Sequence, residues 1–155
     1  MPQKAKTDKK NLNENNKNAA EVLSLSPALE DYIEAIFDLS KRGSGSVRNI
    51  DIAEELDVTK ASVVRALKHL REEGFLEQEP YGDVYLTEKG KEYGQRMIAR
   101  HWALRTFLTD VLGVEPNLAN KEACEMEHTI SQSTIEKWVA WLKSQNINIS
   151  EGDLH

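Results

Sequence analysis

Ile52-Ala53-Glu54-Glu55-Leu56-Asp57-Val58-Thr59-Lys60-Ala61-Ser62-Val63 is the stretch that decides the fold of this chain. Ile50, Ile52, Ala53 and Leu56 supply the apolar side of a short helix over about Arg48 to Leu56. Asp57-Val58 leaves space for a short turn only. Thr59 is suited to cap the next helix, because its hydroxyl can accept from the orphan backbone N–H groups of the first turn. Val63, Ala66, Leu67 and Leu70 then recur with helical period, and Gly74 provides a stop. Two short helices joined by a turn of three or four residues form a helix-turn-helix.

The segments on either side extend this reading. Phe75-Leu76-Glu77-Gln78 and Val84-Tyr85-Leu86 flank the turn residues Pro80-Tyr81-Gly82-Asp83, which predicts a short hairpin, the wing of a winged helix. Upstream, Ser26 caps a helix with Pro27 at its first position. Leu29, Tyr32, Ile33, Ile36, Phe37 and Leu39 carry that helix to about Ser40. Downstream, Thr87 with Lys89-Gly90 opens a long helix reaching about Leu112, where Gly113 and Pro116 interrupt it. Helices are expected over about Asn117–Ile130 and Ser133–Ser144. The fold class is therefore mainly α. A disordered tail is expected over 1–23, a winged helix-turn-helix over 24–95, a second helical unit over 96–144 and a flexible C-terminus over 145–155.

Composition sets limits on function. The 155 residues are 39% hydrophobic and 30% charged, which is ordinary for a globular protein. No apolar run approaches a membrane span, and the N-terminus has no apolar core of a signal peptide. A single cysteine cannot form an internal disulfide, so a reducing cytoplasm is expected. The net charge of −6 does not advertise nucleic-acid binding, but such binding requires only a local basic patch. That patch is expected on the helix from Thr59, whose outward face offers Thr59, Lys60, Ala61, Ser62, Arg65 and Lys68. In a helix-turn-helix this second helix enters the major groove. There Thr59 and Ser62 can bond bases or phosphates, and Arg65 can reach a guanine.

Cys124-Glu125-Met126-Glu127-His128 carries the other chemistry. On a continuous helix, Cys124, Glu127 and His128 stand at i, i+3 and i+4 and share a face. Thiolate, carboxylate and imidazole can all donate to one divalent metal of borderline softness. Asp31 and Glu34 form an i, i+3 pair on the first helix, and His101 lies on the long one. A metal site joined to a DNA reader suggests a metal-sensing regulator.

The chain resembles the family of the diphtheria toxin repressor and the manganese transport regulator. The resemblance runs from about Leu25 to Leu142. It is carried by Leu29-Glu30-Asp31-Tyr32-Ile33-Glu34-Ala35-Ile36, Ile52-Ala53-Glu54-Glu55-Leu56, Leu86-Thr87-Glu88-Lys89-Gly90, Arg100-His101 and Glu127-His128-Thr129-Ile130-Ser131. It implies an N-terminal winged helix-turn-helix, a C-terminal helical dimerisation domain and a homodimer on a palindromic double-stranded operator. It also implies metals bound between the domains. Asp31, Cys124, Glu127 and His128 then correspond to a first site. Glu34 and His101 correspond to a second, with Glu127 a candidate shared ligand. Iron-type members often carry a further C-terminal barrel domain, and a chain of the short manganese type, without one, is expected here. It is nevertheless a hybrid, since manganese-type members carry glutamate at Cys124 and iron-type members usually carry methionine at Asp31. Iron-type members also place a glutamate and a histidine where Arg105 and Asn120 stand.

The expected function is transcriptional repression of metal-homeostasis genes in response to Fe(II) or Mn(II). Zn(II), Co(II) or Cd(II) are expected to substitute in vitro. Asp31 and Glu127 are hard oxygen donors and Cys124 is a softer thiolate donor, so one firm and one weaker site are expected. The rival reading is a winged-helix regulator sensing an organic ligand or redox state through Cys124. A metalloenzyme would need an open coordination position and a general base. Every candidate is already taken as a ligand, so no enzymatic activity is expected.

Overall fold

The computed structural model describes residues 25–149. The expected tail at 1–23 and the last six residues, 150–155, lie outside the described residues. Helix α1 spans Pro27–Arg42, α2 Asn49–Leu56 and α3 Lys60–Glu72. Strands β1 (Leu76–Gln78) and β2 (Val84–Leu86) pair antiparallel, with Glu77 opposite Tyr85. The helix α4 runs over Glu88–Thr106 and continues, more widely wound, through Phe107–Val111. It is followed by α5 (Pro116–Met126) and α6 (Gln132–Ser144).

The helix-turn-helix forms for the reasons its sequence suggests. Ser26 Oγ accepts from Leu29 N at the start of α1, and Thr59 Oγ1 accepts from Ser62 N at the start of α3. Asp57 takes the left-handed conformation at φ 51°, which turns the chain between α2 and α3. Aspartate tolerates that region better than most side chains. The sheet gains an element the sequence did not signal: Val47 exchanges two backbone hydrogen bonds with Val84, at 3.0 and 2.8 Å. The wing is tethered at Asp83, whose carboxylate accepts from Ser46 Oγ at 3.0 Å, and Tyr81 at its tip is fully exposed.

Two apolar cores result. The first gathers Ile33, Ile36, Ile52, Val63, Leu67, Leu70, Leu76, Val84 and Met97; the second gathers Leu104, Leu108, Ala119, Ala123 and Ile135. Helix α4 contributes to both. Its start is fixed by Thr87, which caps Gly90 N and donates to Gly74 O, and by Lys89 Nζ donating to Glu73 O. Two glycines let it approach its neighbours. A methyl group at Gly90 would collide with the Phe75 carbonyl, and one at Gly94 would meet Phe37 Cβ and Cγ at 2.8 Å. On α6, Ile135 lies in the second core, Trp138 and Val139 pack against it, and Leu142 is fully buried.

One expected element is corrected. The helix read as Asn117–Ile130 ends at Met126, so Cys124, Glu127 and His128 do not share one continuous helical face. Thr129 closes the end by directing both its N–H and its hydroxyl to Met126 O, at 3.1 and 3.0 Å. Ser131 then caps α6, with its hydroxyl accepting from Thr134 N. A local hydroxyl that bonds backbone competes with helix continuation. Because Gly94 sits against Phe37, Gly94→Ala should overpack the α1–α4 contact. We expect a loss of about 1–3 kcal/mol in urea denaturation; unchanged stability would mean that α1 and α4 are not in this close contact.

Candidate metal centre and nucleic-acid interface

Two groups of donors converge where α1, α4 and the end of α5 meet. Asp31, Glu127 and His128 each present a ligand atom within 4.8 Å of the others. Glu34, His101 and Glu127 do the same. Glu127 belongs to both, and only 1% of it is exposed. It can reach both groups because its backbone still follows α5, with its N–H bonded to Ala123 O at 3.0 Å, while the chain turns away immediately afterwards. That turn brings His128 Nε2 to 2.9 Å from Asp31 Oδ1 and 3.8 Å from Glu127 Oε1. On the other side, His101 Nδ1 lies 3.1 Å from Glu127 Oε2. His101 Nε2 is 2.9 Å from Asn120 Oδ1, so this edge of the ring donates to the amide oxygen and Nδ1 is left facing the carboxylates. Cys124 stands outside both groups. Its exposed thiol is 3.6 Å from His101 Nδ1, on the Glu34 side and away from Asp31.

The electrostatics of the pocket follow from its burial. Burial pushes Glu34 up to about 8, with the facing Glu127 adding to the rise. Burial pushes Glu127 up to about 7, with Glu34 opposing and Asp31 adding to the rise. Burial alone would pull His101 down, but Cys124, Asn120 and Glu34 outweigh it and leave the imidazole above its ordinary value. Two desolvated carboxyls sharing one pocket favour a bound proton or a bound cation over two bare charges. Carboxylate oxygens with imidazole nitrogens suit a divalent first-row ion, so the residues present fit such a group.

The second functional surface is α3. Thr59, Lys60, Ala61, Arg65 and Lys68 are exposed, and Ser62 is half-buried by its contacts with Thr59 and Arg65. Val64, which the apolar spacing does not mark as part of the DNA-facing set, is 57% exposed. Ala61, Val64, Arg65 and Lys68 stand at i, i+3, i+4 and i+7, one outward stripe of the helix. An apolar residue facing water in the centre of that stripe is the signal that marks it. Asn120, where iron-type members carry a histidine, instead holds the outer nitrogen of His101, and Glu30 carries no sequence signal beyond its place on α1. Glu30 lies three residues before Ile33 and seven before Phe37, so the apolar spacing of α1 points it inward.

A winged helix joined to a second helical unit through carboxylates and imidazoles defines a DNA-binding protein with a metal-type donor cluster where the two units meet. The chain belongs to the iron-dependent repressor family of metal-dependent transcriptional regulators. Residues 24–84 match the family's N-terminal DNA binding domain, and residues 87–146 match its metal binding and dimerisation domain. An HTH-type transcriptional regulator of Methanocaldococcus jannaschii is 31% identical over 113 residues, 73% of this chain and 90% of that protein. The transcriptional regulator MntR of Salmonella typhimurium is 37% identical over 113 residues, 73% of this chain and 71% of its own. The solved manganese regulator SloR superposes with a TM-score of 0.67 at 28% identity, covering 77% of this chain. This chain spans 55% of the SloR chain. Other solved relatives, 25–27% identical, are described with manganese, zinc or cadmium bound.

The raised carboxyls have a consequence for stability. Without metal, the folded pocket retains protons that the unfolded chain has lost between about pH 4.5, the ordinary glutamate value, and the values of about 7 and about 8 reached in the fold. Stability falls with pH wherever the native state binds more protons. In chelator, urea midpoints should therefore decline from pH 5 to pH 8, and Glu127→Gln should flatten the decline. An equally steep decline in that variant would refute this account of the pocket.

Proposed function

We propose that this protein is a metal-responsive transcriptional repressor that binds operator DNA as a homodimer and senses Fe(II) or Mn(II). The observation that carries this reading is the convergence of side chains from both units on Glu127. Asp31 and Glu34 come from α1, which packs in the first core with the helix-turn-helix. His101, Glu127 and His128 come from the unit that matches the metal binding and dimerisation domain. The proposed ligands are Asp31, Glu127 and His128 in one group and Glu34, His101 and Glu127 in the other. Cys124 lies beside the second group, so its thiolate would join that group.

When bound, the ion supplies the positive charge that two buried carboxylates otherwise lack. The residues of the chain do the rest. Asp31 and Glu34 turned toward His101, Glu127 and His128 hold α1 against α4, and with α1 they hold α2 and α3. In a homodimer this fixes the separation of the two α3 helices, which must match half-sites about one DNA turn apart. The arrangement favours DNA only to the extent that metal binds the DNA-competent placement more tightly. Exposed Trp141, edge-to-face with Phe107 at 5.8 Å between ring centres, and exposed Val111 and Leu112 form the proposed dimer face. A binding role, without catalysis, is the reading for this donor set. Among the described residues no helix is long and apolar enough to cross a membrane. A regulator of this kind works on chromosomal DNA in the cytoplasm.

On α3, Thr59, Lys60, Ser62 and Lys68 would meet phosphates, Arg65 a guanine edge, and Ala61 and Val64 a thymine methyl. Fluorescence anisotropy with labelled operator should show Mn(II)- or Fe(II)-dependent binding that Asp31→Ala abolishes while the dimer persists in sedimentation. If Asp31→Ala still binds with normal metal dependence, the ligand assignment fails. Arg65→Ala should cost about 1–3 kcal/mol at one position per half-site; an even loss across all sequences would assign Arg65 to phosphate instead. Titration of the metal-free chain should give one tight and one weaker site, because both groups draw on Glu127. Two equally tight sites would exclude that sharing.

A further inference from the structure

Beside the donor groups lies a buried polar cluster that the proposed ligands do not use. Glu30 on α1 is 6% exposed, although it neighbours the half-exposed Asp31. Around it stand Tyr93 and Arg100 from α4 and His128 from the turn after α5. Tyr93 is 3% and Arg100 5% exposed. Tyr93 Oη, Arg100 Nε and His128 Nδ1 are all buried without a hydrogen-bond partner among the described residues. All three can donate. Glu30 is the carboxylate common to their surroundings, and its Oε1 lies 3.9 Å from His128 Nδ1.

One nitrogen of His101 faces the carboxylates while the other is held by Asn120 at 2.9 Å, which fixes the ring and its tautomer. His128 is arranged in the reverse sense, with Nε2 facing Asp31 and Glu127 and Nδ1 turned away toward Glu30. An imidazole that binds metal through one nitrogen ordinarily donates its other N–H to a carboxylate or carbonyl, which orients the ring and raises its basicity.

We propose that Glu30 is the positioning residue of the metal centre: its carboxylate, held in place by Arg100 and Tyr93, accepts from His128 Nδ1–H and aims Nε2 at the metal. This rests on the ligand assignment proposed above. Closing the gap from 3.9 Å to hydrogen-bond length requires only a small rotation of two side chains. Arg100 has a structural reason to be buried here. It supplies the countercharge that Glu30 needs away from water, and it does so from α4, so the contact also joins the two units.

The test compares Glu30→Gln and Glu30→Asp with Asp31→Ala in the full chain. In each, Mn(II) affinity is measured by calorimetry, and His128 is followed by imidazole 15N NMR with Zn(II) bound. Glu30→Gln should weaken the Mn(II) site that contains His128 by about 10–100-fold while stoichiometry is unchanged. It should also weaken the slowly exchanging His128 Nδ1–H signal, because a neutral amide oxygen accepts less strongly than a carboxylate, and Glu30→Asp should restore part of both. Urea denaturation shows that each variant is folded. If Glu30→Gln destabilises the fold too far for calorimetry, Arg100→Lys provides the second reading, with the same Nδ1–H signal weakened. Unchanged affinity and an unchanged Nδ1–H signal in Glu30→Gln, alongside lost binding in Asp31→Ala, would overturn the role of Glu30 alone. Unchanged binding in Asp31→Ala would instead overturn the ligand assignment beneath it.

Discussion

Glu127 places a carboxyl where almost no water reaches it, and the architecture is organised around that burial. A carboxylate removed from water is costly unless something compensates it. The groups within reach are His101, His128, Glu34 and Asp31, drawn from three separate elements. Two are acidic, so the pocket gathers more negative charge than its imidazoles can offset. In the metal-free chain the consequence is carboxyls that hold protons well above their ordinary range. The same excess is what a divalent cation would relieve. One buried side chain thus connects local electrostatics to the placement of a whole helix.

That connection reaches the DNA-reading surface because α1 and α4 are stiff and closely packed. Helix α4 lends Tyr93 and Met97 to the first core and Leu104 to the second, so it forms a common beam. Gly94 permits α1 to lie against it at Phe37. At the C-terminal end of α1, Arg42 pairs with Asp38 and with Glu55 of α2. These pairs are exposed and contribute little on their own; the apolar core beneath them carries the coupling. Metal-responsive members of a repressor family need such a path from donor set to recognition helix, and here it is short.

The sequence disclosed the winged helix well because each of its parts is local. Ser26, Thr59 and Thr87 cap the helices they were expected to cap, and the Pro/Gly turn at 80–83 lies between the paired strands. The bridge from Val47 to Val84 was not legible, since a single residue pair carries no periodicity. The C-terminal end of α5 was misjudged because Glu127-His128-Thr129 has no glycine or proline to announce a stop. There the stop comes from Thr129 bonding back to Met126 and from Ser131 opening the next helix. Val64 escaped notice because burial of an apolar residue is the default expectation, and only the helix phase with its neighbours places it outward.

By itself, the sequence determined the helix-turn-helix and its wing, and the residue types from which a metal centre is proposed, since caps, turns and apolar spacing act over a few residues. Only the tertiary structure decided how those residues group. Asp31 meets His128 because the chain turns at the end of α5. Cys124 falls beside His101 and not beside Asp31, although it is only four residues from His128. Glu30 is brought under His128 from almost a hundred residues away. Such contacts depend on how helices pack across two cores, and spacing along one helix carries no information about them.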